Sequence, residues 1–340
     1  MLELDTGEIY EFRPRLCLDA TELGDLLPLA RLEYFAGSDS NSLTGEAHAP
    51  AKGDRENVQD FTYPFVVELQ PHGSFVAQKP EHYDRFVSYG KFSFQGYKMF
   101  EETDDTSASG HQRRLLPFWH YRRLLAGENF ADGAVPHDIA MINWDSNDLR
   151  GENIIDQTGA VQSERLALGK LVSLGFLHWL QTEAPRDDGG KGYPELMLRS
   201  DLLGTGDGLS KFPYIREARR VHAKKMIREE EIVAATNAGA RAQSFDDSVG
   251  IGLYPVDIHG KQEVPGAGQA TKPFQIPLAA LIPAQDTNVF PACKNIGTTH
   301  ITNGAYRLHP VEWAIGEAQG ALARLLLNKE IEQKHLFRPD

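Results

Sequence analysis

At 340 residues the chain is too long for one ordinary hydrophobic core and suits two domains, or one domain with a large insertion. Its 48 acidic residues against 35 basic ones leave a net charge of -13, a mean field that repels nucleic acid and anionic lipid and excludes both as expected partners. With 41% hydrophobic and 24% charged residues the composition is globular, which excludes collagen, coiled-coil and disordered classes.

In chain order, Leu2 and Leu4, a turn at Asp5 to Glu8, then Ile9 and Phe12 predict a β-hairpin. Arg15 to Ala20 reads as a short buried strand that delivers Asp19 to its C-terminal end, the place where α/β sheets bind ligands, and Leu23 to Leu32 as a helix or helical turn. Residues 36–60 are rich in Gly, Ser, Asn, Pro and charge, a long loop of the functional or mobile kind. Phe61 to Gln70 predicts a strand, which Pro64 would place at a sheet edge. Residues 80–112 are aromatic without periodicity, with a polar loop at Glu101 to Gly110. Phe118, Trp119, Tyr121 and Trp144 supply either a pocket lining or plain core. Ile139 to Trp144 is a predicted strand, and Arg165 to Thr182 a helix apolar almost all round and therefore buried.

Leu196 to Leu198 is a short predicted strand, Tyr214 to Ile232 a predicted helix, Val249 to Ile258 an alternating strand and Thr271 to Pro283 an extended apolar piece. Along the predicted helix the basic cluster Arg216, Arg219, Arg220, His222, Lys224 and Lys225, followed by Glu229, Glu230 and Glu231, reads as a solvated amphipathic face or a short anion site. The last unit is a strand from Asn288 to Asn295, a Gly/Thr/Asn loop and a helix from Val311 to Leu327. Pro310 opens that helix, whose free N–H groups suit an anion or a polarised carbonyl, and Gly316 and Gly320 offer a small-residue face for close backbone packing. The two cysteines, Cys17 and Cys293, stand far apart inside apolar runs and read as free thiols. The N-terminal residues show no signal core and no apolar run reaches membrane-spanning length, so a cytoplasmic setting is expected.

For chemistry, Asp257 and His259 lie two apart and project to one side as a pair, and His300, with His309 behind it, is a further histidine whose ordinary pKa suits proton transfer near neutrality. Each has the alternative of a structural histidine bonded to a carbonyl. Arg216 suits a substrate carboxylate or carbonyl, or a surface ion pair. No His-Glu-x-x-His or Cys-x-x-Cys spacing, nucleophile elbow or phosphate loop is present in the sequence, and no metal is expected.

Several segments, in order along nearly the whole chain, carry a resemblance: Asp19 to Asp25, Asn143-Trp144 with Asn147-Asp148, Trp179 to Pro185, Tyr214 to Arg220, Ser248 to Tyr254, Asp257 to His259, Pro273 to Pro277, and Cys293 to Gly320. Together they resemble the FAD-dependent oxidoreductases of the glutathione-reductase-like flavoprotein class. The resemblance implies FAD as cofactor and an α/β fold: a partial Rossmann-like FAD-binding domain plus a mixed β-sheet and helix substrate domain. Residues 1–32 and 285–328 would belong to the FAD-binding domain, 33–284 to the substrate or cap domain, and 329–340 to a C-terminal tail. It further implies that the turn with Asp19, Thr21, Gly24 and Asp25 passes the cofactor's phosphate and adenine side, with Asp19 and Asp25 serving the cofactor or capping the following helix. Lys294 and Asn295 would lie near its ribityl chain, and Arg307, Pro310, Val311 and Glu312 near its ring and pyrophosphate, with Asn303 and Gly304 also binding it. Catalysis would fall to His259, Arg216, His300 and Asp257.

The sequence departs from the family at two places. Glu22 stands where the turn more often carries glycine, and no Gly-x-Gly-x-x-Gly turn precedes Asp19; Gly204-Thr-Gly206-Asp-Gly208 has the wrong spacing. The expected function is therefore flavin-dependent oxidation or reduction of a small organic substrate by hydride transfer, as one subunit of a split enzyme or as a truncated gene product, with a separate chain carrying the glycine-rich lobe, or a homo-oligomer, as the expected partner. The alternative is a non-catalytic binding or partner-stabilising protein descended from a flavoenzyme.

Overall fold

The computed structural model describes residues 6–90, 92–105, 113–260 and 267–336. They form a mixed α/β protein whose chain divides into two compact units, 1–59 with 216–340, and 60–215. Segments 1–32 and 285–328 both fall inside the first unit, while 33–284 is shared between the two.

The first unit is built on a parallel pair, Cys17–Asp19 with Val289–Pro291, in the register Cys17 to Val289 and Asp19 to Pro291. Both strands run into polar turns at their C-terminal ends, so Asp19 and Cys293 emerge side by side. The helix His309–Leu327 has Pro at its first turn, as expected from Pro310. Its Leu322 joins Ile282 and Phe290, and its Val311 and Ile315 join Phe274, Ile276, Ile301 and Tyr306 in a larger core. Gln319, inside the helix, is held by donating to the carbonyls of Leu281 and Pro291. The helix lies against the antiparallel pair Ser248–Gly252 and Phe274–Pro277. Here a Cβ on Gly252 would stand 2.9 Å from Val311, so glycine permits this approach. Of the expected small-residue face, Gly316 does look onto the Ala292 carbonyl, but Gly320 meets nothing within 4 Å.

The second unit holds an antiparallel sheet in the order Leu196–Leu198, Phe65–Leu69, Ile139–Ile142, Arg123–Leu125. Pro64 splits the expected strand into Phe61–Thr62 and Phe65–Leu69, and the second piece is interior to the sheet. The proline breaks the ladder before it starts and leaves every later N–H available. The helix Gly159–Thr182 starts at Thr158, whose Oγ1 accepts from the Val161 N–H, and it is buried mainly over its second half. There Phe176 and Trp179 stack at 5.5 Å and meet Phe92 and Phe94. Phe118, Trp119 and Trp144 are core, whereas Tyr121 is half exposed.

Other expectations are corrected. Tyr214 to Ile232 is not a helix: it runs extended through the strand Arg220–Val221, which pairs with Tyr34–Phe35, and ends in a single 3-10 turn, Glu229–Glu231. Arg216, Arg219 and Arg220 are buried there, not solvated. The stretch 80–112 contains the helix Tyr83–Gly90, and Thr103–Asp105 pairs with Arg113–Leu115 beside the expected polar loop, whose residues 106–110 lie outside the described ones. The first strand of the expected hairpin likewise lies outside them, and residues 10–12 form no strand. The loop before the last helix folds as a helix of its own, His300–Tyr306, started by Thr299, whose Oγ1 accepts from the Thr302 N–H. Cys17 and Cys293 are free. Among the described residues no helix is long and apolar enough to cross a membrane.

Candidate functional site

The C-terminal ends of the parallel pair gather the first group of expected site residues. Asp19 Oδ1 accepts from the Thr21 N–H at 3.0 Å and the Thr21 hydroxyl at 2.7 Å, and the Thr21 Oγ1 accepts from the Asp25 N–H at 2.7 Å. The turn needs Gly24, which sits at φ +65° with the Arg219 carbonyl 2.9 Å from where a Cβ would be. Arg219 then donates to the Leu23 carbonyl and to Asp25 Oδ1, both at 2.9 Å. From the opposite strand, Asn295 Nδ2 donates to the Asp19 carbonyl at 3.0 Å. Lys294 Nζ is held between Glu22 at 2.7 Å and Glu312 at 3.0 Å. It is almost wholly buried; burial alone would lower its pKa, but Glu312 and Glu22 outweigh that and raise it. The ammonium stays charged, and its charge is spent on two carboxylates.

A second group forms around Asp257. His259 Nε2 lies 3.3 Å from Asp257 Oδ1, and Arg307 Nη2 donates to Asp257 Oδ2 at 2.8 Å and to the Asp257 carbonyl at 3.1 Å. Burial pushes the Asp257 carboxyl up, yet His259, Arg307 and Arg216 together hold it well below the usual carboxylate range. Gly304 lets the helix His300–Tyr306 approach this turn, since a Cβ there would stand 2.9 Å from the Asp257 carbonyl oxygen. Gln59 ties the group together: its N–H donates to Glu217 Oε2, its Nε2 to Asn303 Oδ1, and its Oε1 accepts from the His259 N–H.

Beneath lies a buried ionic floor. Arg220, fully buried, donates to Asp39 Oδ2 at 2.7 Å and to the carbonyls of Thr298 and Gly37. Asp39 also accepts from the His300 N–H at 2.8 Å, and His300 Nδ1 lies 3.0 Å from Glu217 Oε2. Burial would raise the pKa of Glu217, but His300, Arg220 and the Gln59 N–H keep the carboxylate ionised. Glu46 runs the other way: burial raises it although it accepts from Thr299 and from the Glu229 N–H.

The structure thus brings Asp19, Thr21, Gly24, Asp25, Lys294, Asn295 and Glu312 into one cluster, and Arg216, Asp257, His259, His300, Asn303, Gly304 and Arg307 into the electrostatics and packing of another. Pro310 is exposed on the first turn of its helix and Val311 is core, so these two join neither cluster. Sequence reasoning missed Asp39, Gln59 and Glu217, and read Arg220 only as part of a solvated face or short anion site. The signal for Asp39 and Gln59 was the long polar loop at 36–60; that for Glu217 and Arg220 was charge inside a segment that carries Ile215, Ala218 and Val221 as core.

A family model described as FAD dependent oxidoreductase matches residues 2–336. The chain belongs to the FAD-dependent oxidoreductase family. No curated protein and no solved structure matches it. The family makes FAD the cofactor, and the residues fit the polar ring and hydroxylated part of such a group. The buried Asn303 Nδ2 and Thr298 Oγ1 have no hydrogen-bond partner among the described residues, nor have Asp19 Oδ2 and Glu46 Oε2. Each such group costs about 1–3 kcal/mol when left unmet, which a ligand of alternating donors and acceptors can recover. The pyrophosphate is less well served in this FAD-dependent oxidoreductase, because Lys294 and Arg219 already hold carboxylates.

Proposed function

We propose that the chain oxidises or reduces a small organic molecule with FAD, His259 being the group that takes or returns the substrate's proton. What carries this reading is the chain Arg307, Asp257, His259, with contacts of 2.8 and 3.3 Å, in a member of an FAD family. An imidazole beside an ionised carboxylate is held in one orientation and is stabilised when it gains a proton; the arginine in turn keeps that carboxylate ionised. His259 and Asp257 keep partial solvent access, with side chains 18% and 35% exposed, so a substrate can reach them, while Arg307 is 2% exposed and positions Asp257 from behind.

Asp19, Thr21, Gly24, Asp25, Lys294, Asn295, Asn303, Gly304 and Glu312 would hold the cofactor, with Arg216 facing substrate and Arg307 acting through Asp257. When bound, FAD supplies a two-electron acceptor that works by hydride transfer. Around it the chain's own residues fix the substrate's carbonyl or carboxylate at Arg216 and take up its proton at His259 Nδ1, the ring nitrogen turned away from Asp257.

The test is a visible absorption spectrum of the chain after incubation with FAD and desalting, followed by reductive turnover with small alcohols, amines and hydroxy acids. Flavin bands that bleach with a substrate support the reading. His259→Gln is then expected to lower kcat about 10²- to 10⁴-fold, the usual contribution of a general base, with the flavin spectrum unchanged. A chain that binds flavin yet turns over equally well as His259→Gln sinks the assignment of the proton.

A further inference from the structure

Within the first unit a cleft of about 200 Å³ opens beside the ionic floor, lined by Phe35, Asp39, Leu43, Thr44, His222, Met226, Arg228 and Thr299. None of the expected site residues lines it, and the proton chain at Asp257 and His259 does not use it. Its walls are apolar: Phe35, Leu43 and Met226 form the body, and the ring of His222 stands edge-on to Phe35 with centroids 5.6 Å apart. A volume below the usual range for drug-sized ligands suits a single ring with one substituent.

Charge decides which substituent. The one acid of the lining, Asp39, is already committed: it takes Arg220 at 2.7 Å and the His300 N–H at 2.8 Å, and these partners hold its carboxyl low against the burial that would raise it. Thr299 is committed too, donating to Glu46 and accepting from the Thr302 N–H. The remaining charged or chargeable lining groups are Arg228, exposed at the rim with its guanidinium over Gly45, and the half-exposed His222, whose Nδ1 faces Glu33 at 2.9 Å. An anion brought to the rim therefore meets a guanidinium that matches carboxylate geometry, and the one acid of the lining, Asp39, is neutralised by Arg220. A cationic ligand would meet repulsion at the rim and no open carboxylate at the floor.

We infer that this cleft is a binding site for a small aromatic or alicyclic carboxylate, its ring between Phe35, Leu43 and Met226 and its carboxylate on Arg228. The inference concerns binding alone and stands whether or not the chemistry proposed at His259 is right.

The experiment uses the whole chain with benzoate as probe and benzamide, its neutral isostere, as control, followed by ligand-observed NMR and calorimetry. Benzoate is expected to bind saturably and more tightly than benzamide. Arg228→Gln, at an exposed position that should not disturb folding, is expected to weaken benzoate about tenfold, the worth of one charge-assisted hydrogen bond, and to leave benzamide unchanged. Leu43→Trp, also at an exposed position, is expected to fill the cleft and abolish both; circular dichroism confirms that both variants are folded. Equal affinity for benzoate in wild type and Arg228→Gln, or no saturable binding up to about 10 mM, overturns the proposal. So does displacement of benzoate by lumichrome, which would assign the cleft to the flavin ring. Loss of turnover in His259→Gln with benzoate binding intact separates failure of one reading from failure of the other.

Discussion

Asp257 carries more of the candidate site than its exposure suggests, because it touches both a histidine and an arginine and is partly open to solvent. Its folded pKa lies below the ordinary value, so its pairing stabilises the fold above about pH 4 and that contribution is lost as the pH falls through the folded pKa. With the side chain a third exposed, solvent screens the effect, and Asp257→Asn should cost little stability but flatten its acid limb. The same variant should lower kcat and move the pH profile of kcat/KM, since His259 loses the carboxylate that orients it. Denaturant midpoints from pH 3 to 7, with the rate profile, check both; an unchanged profile removes Asp257 from the mechanism. Glu46 has the opposite sign. Its raised pKa means stability is present at low pH and falls as the pH rises through the folded value, so Glu46→Gln should make the chain relatively more stable at pH 7 than at pH 4. Arg220 is a different case: removing a buried cation strands Asp39 and part of Glu217, and Arg220→Met should cost about 3–5 kcal/mol in chemical denaturation, a loss under 1 kcal/mol refuting the role.

Among the elements, those built on local signals were legible from sequence: Leu196–Leu198, the helix Gly159–Thr182 from Arg165 onward, the strand at Cys17–Asp19 and the proline-opened last helix all follow from pattern, while the start of the long helix at Thr158 was not read. The segment 214–232 was not. Its charges fall at helical spacing, but a helix needs one polar face in water, and here Arg219 is spent on Asp25 and Arg220 on Asp39, partners about 180 to 194 residues away in sequence. Propensity carries no information about partners so distant, and the buried pairs override it. The site was legible in the same uneven way. The pair Asp257 and His259 could be read from a spacing of two, whereas Gln59, which joins His259, Asn303 and Glu217, has no local pattern to betray it. The helix His300–Tyr306 was hidden by Gly304 inside it, a residue chosen for the approach to Asp257 and not for helix formation. Gly304→Ala sets about 1 kcal/mol of gained helix propensity against an overpacking cost of about 1–3 kcal/mol, because the added Cβ meets backbone that has no side chain to rotate away. The expected net result is destabilisation, with reduced turnover as Asp257 is displaced. A more stable variant would show that the turn at Asp257 yields freely.

For the whole molecule the deciding quantity is charge. FAD brings a dianionic pyrophosphate to a chain of net charge -13, and at the ends of the parallel strands the cations at hand are paired, Lys294 with Glu22 and Glu312, Arg219 with Asp25. Unmatched polar atoms at Asn303 and Thr298 would suit the flavin ring, whereas the cations beside Asp19, on the side expected for the phosphates, are already in ion pairs. These 340 residues alone should therefore discriminate weakly between riboflavin and FAD, within about tenfold, because the adenylate adds cost as well as contact. Supplying a glycine-rich lobe, whose helix N-terminus accepts a pyrophosphate without needing a lysine, should open a preference for FAD of about a hundredfold or more, the scale of a pair of charge-assisted hydrogen bonds. Flavin fluorescence titrations with riboflavin and FAD, with and without a co-expressed lobe, read this directly. If the chain alone already prefers FAD by a hundredfold, Lys294 must exchange its carboxylates for phosphate, and Glu22→Gln and Glu312→Gln, which free that lysine, should then tighten FAD while leaving riboflavin where it was.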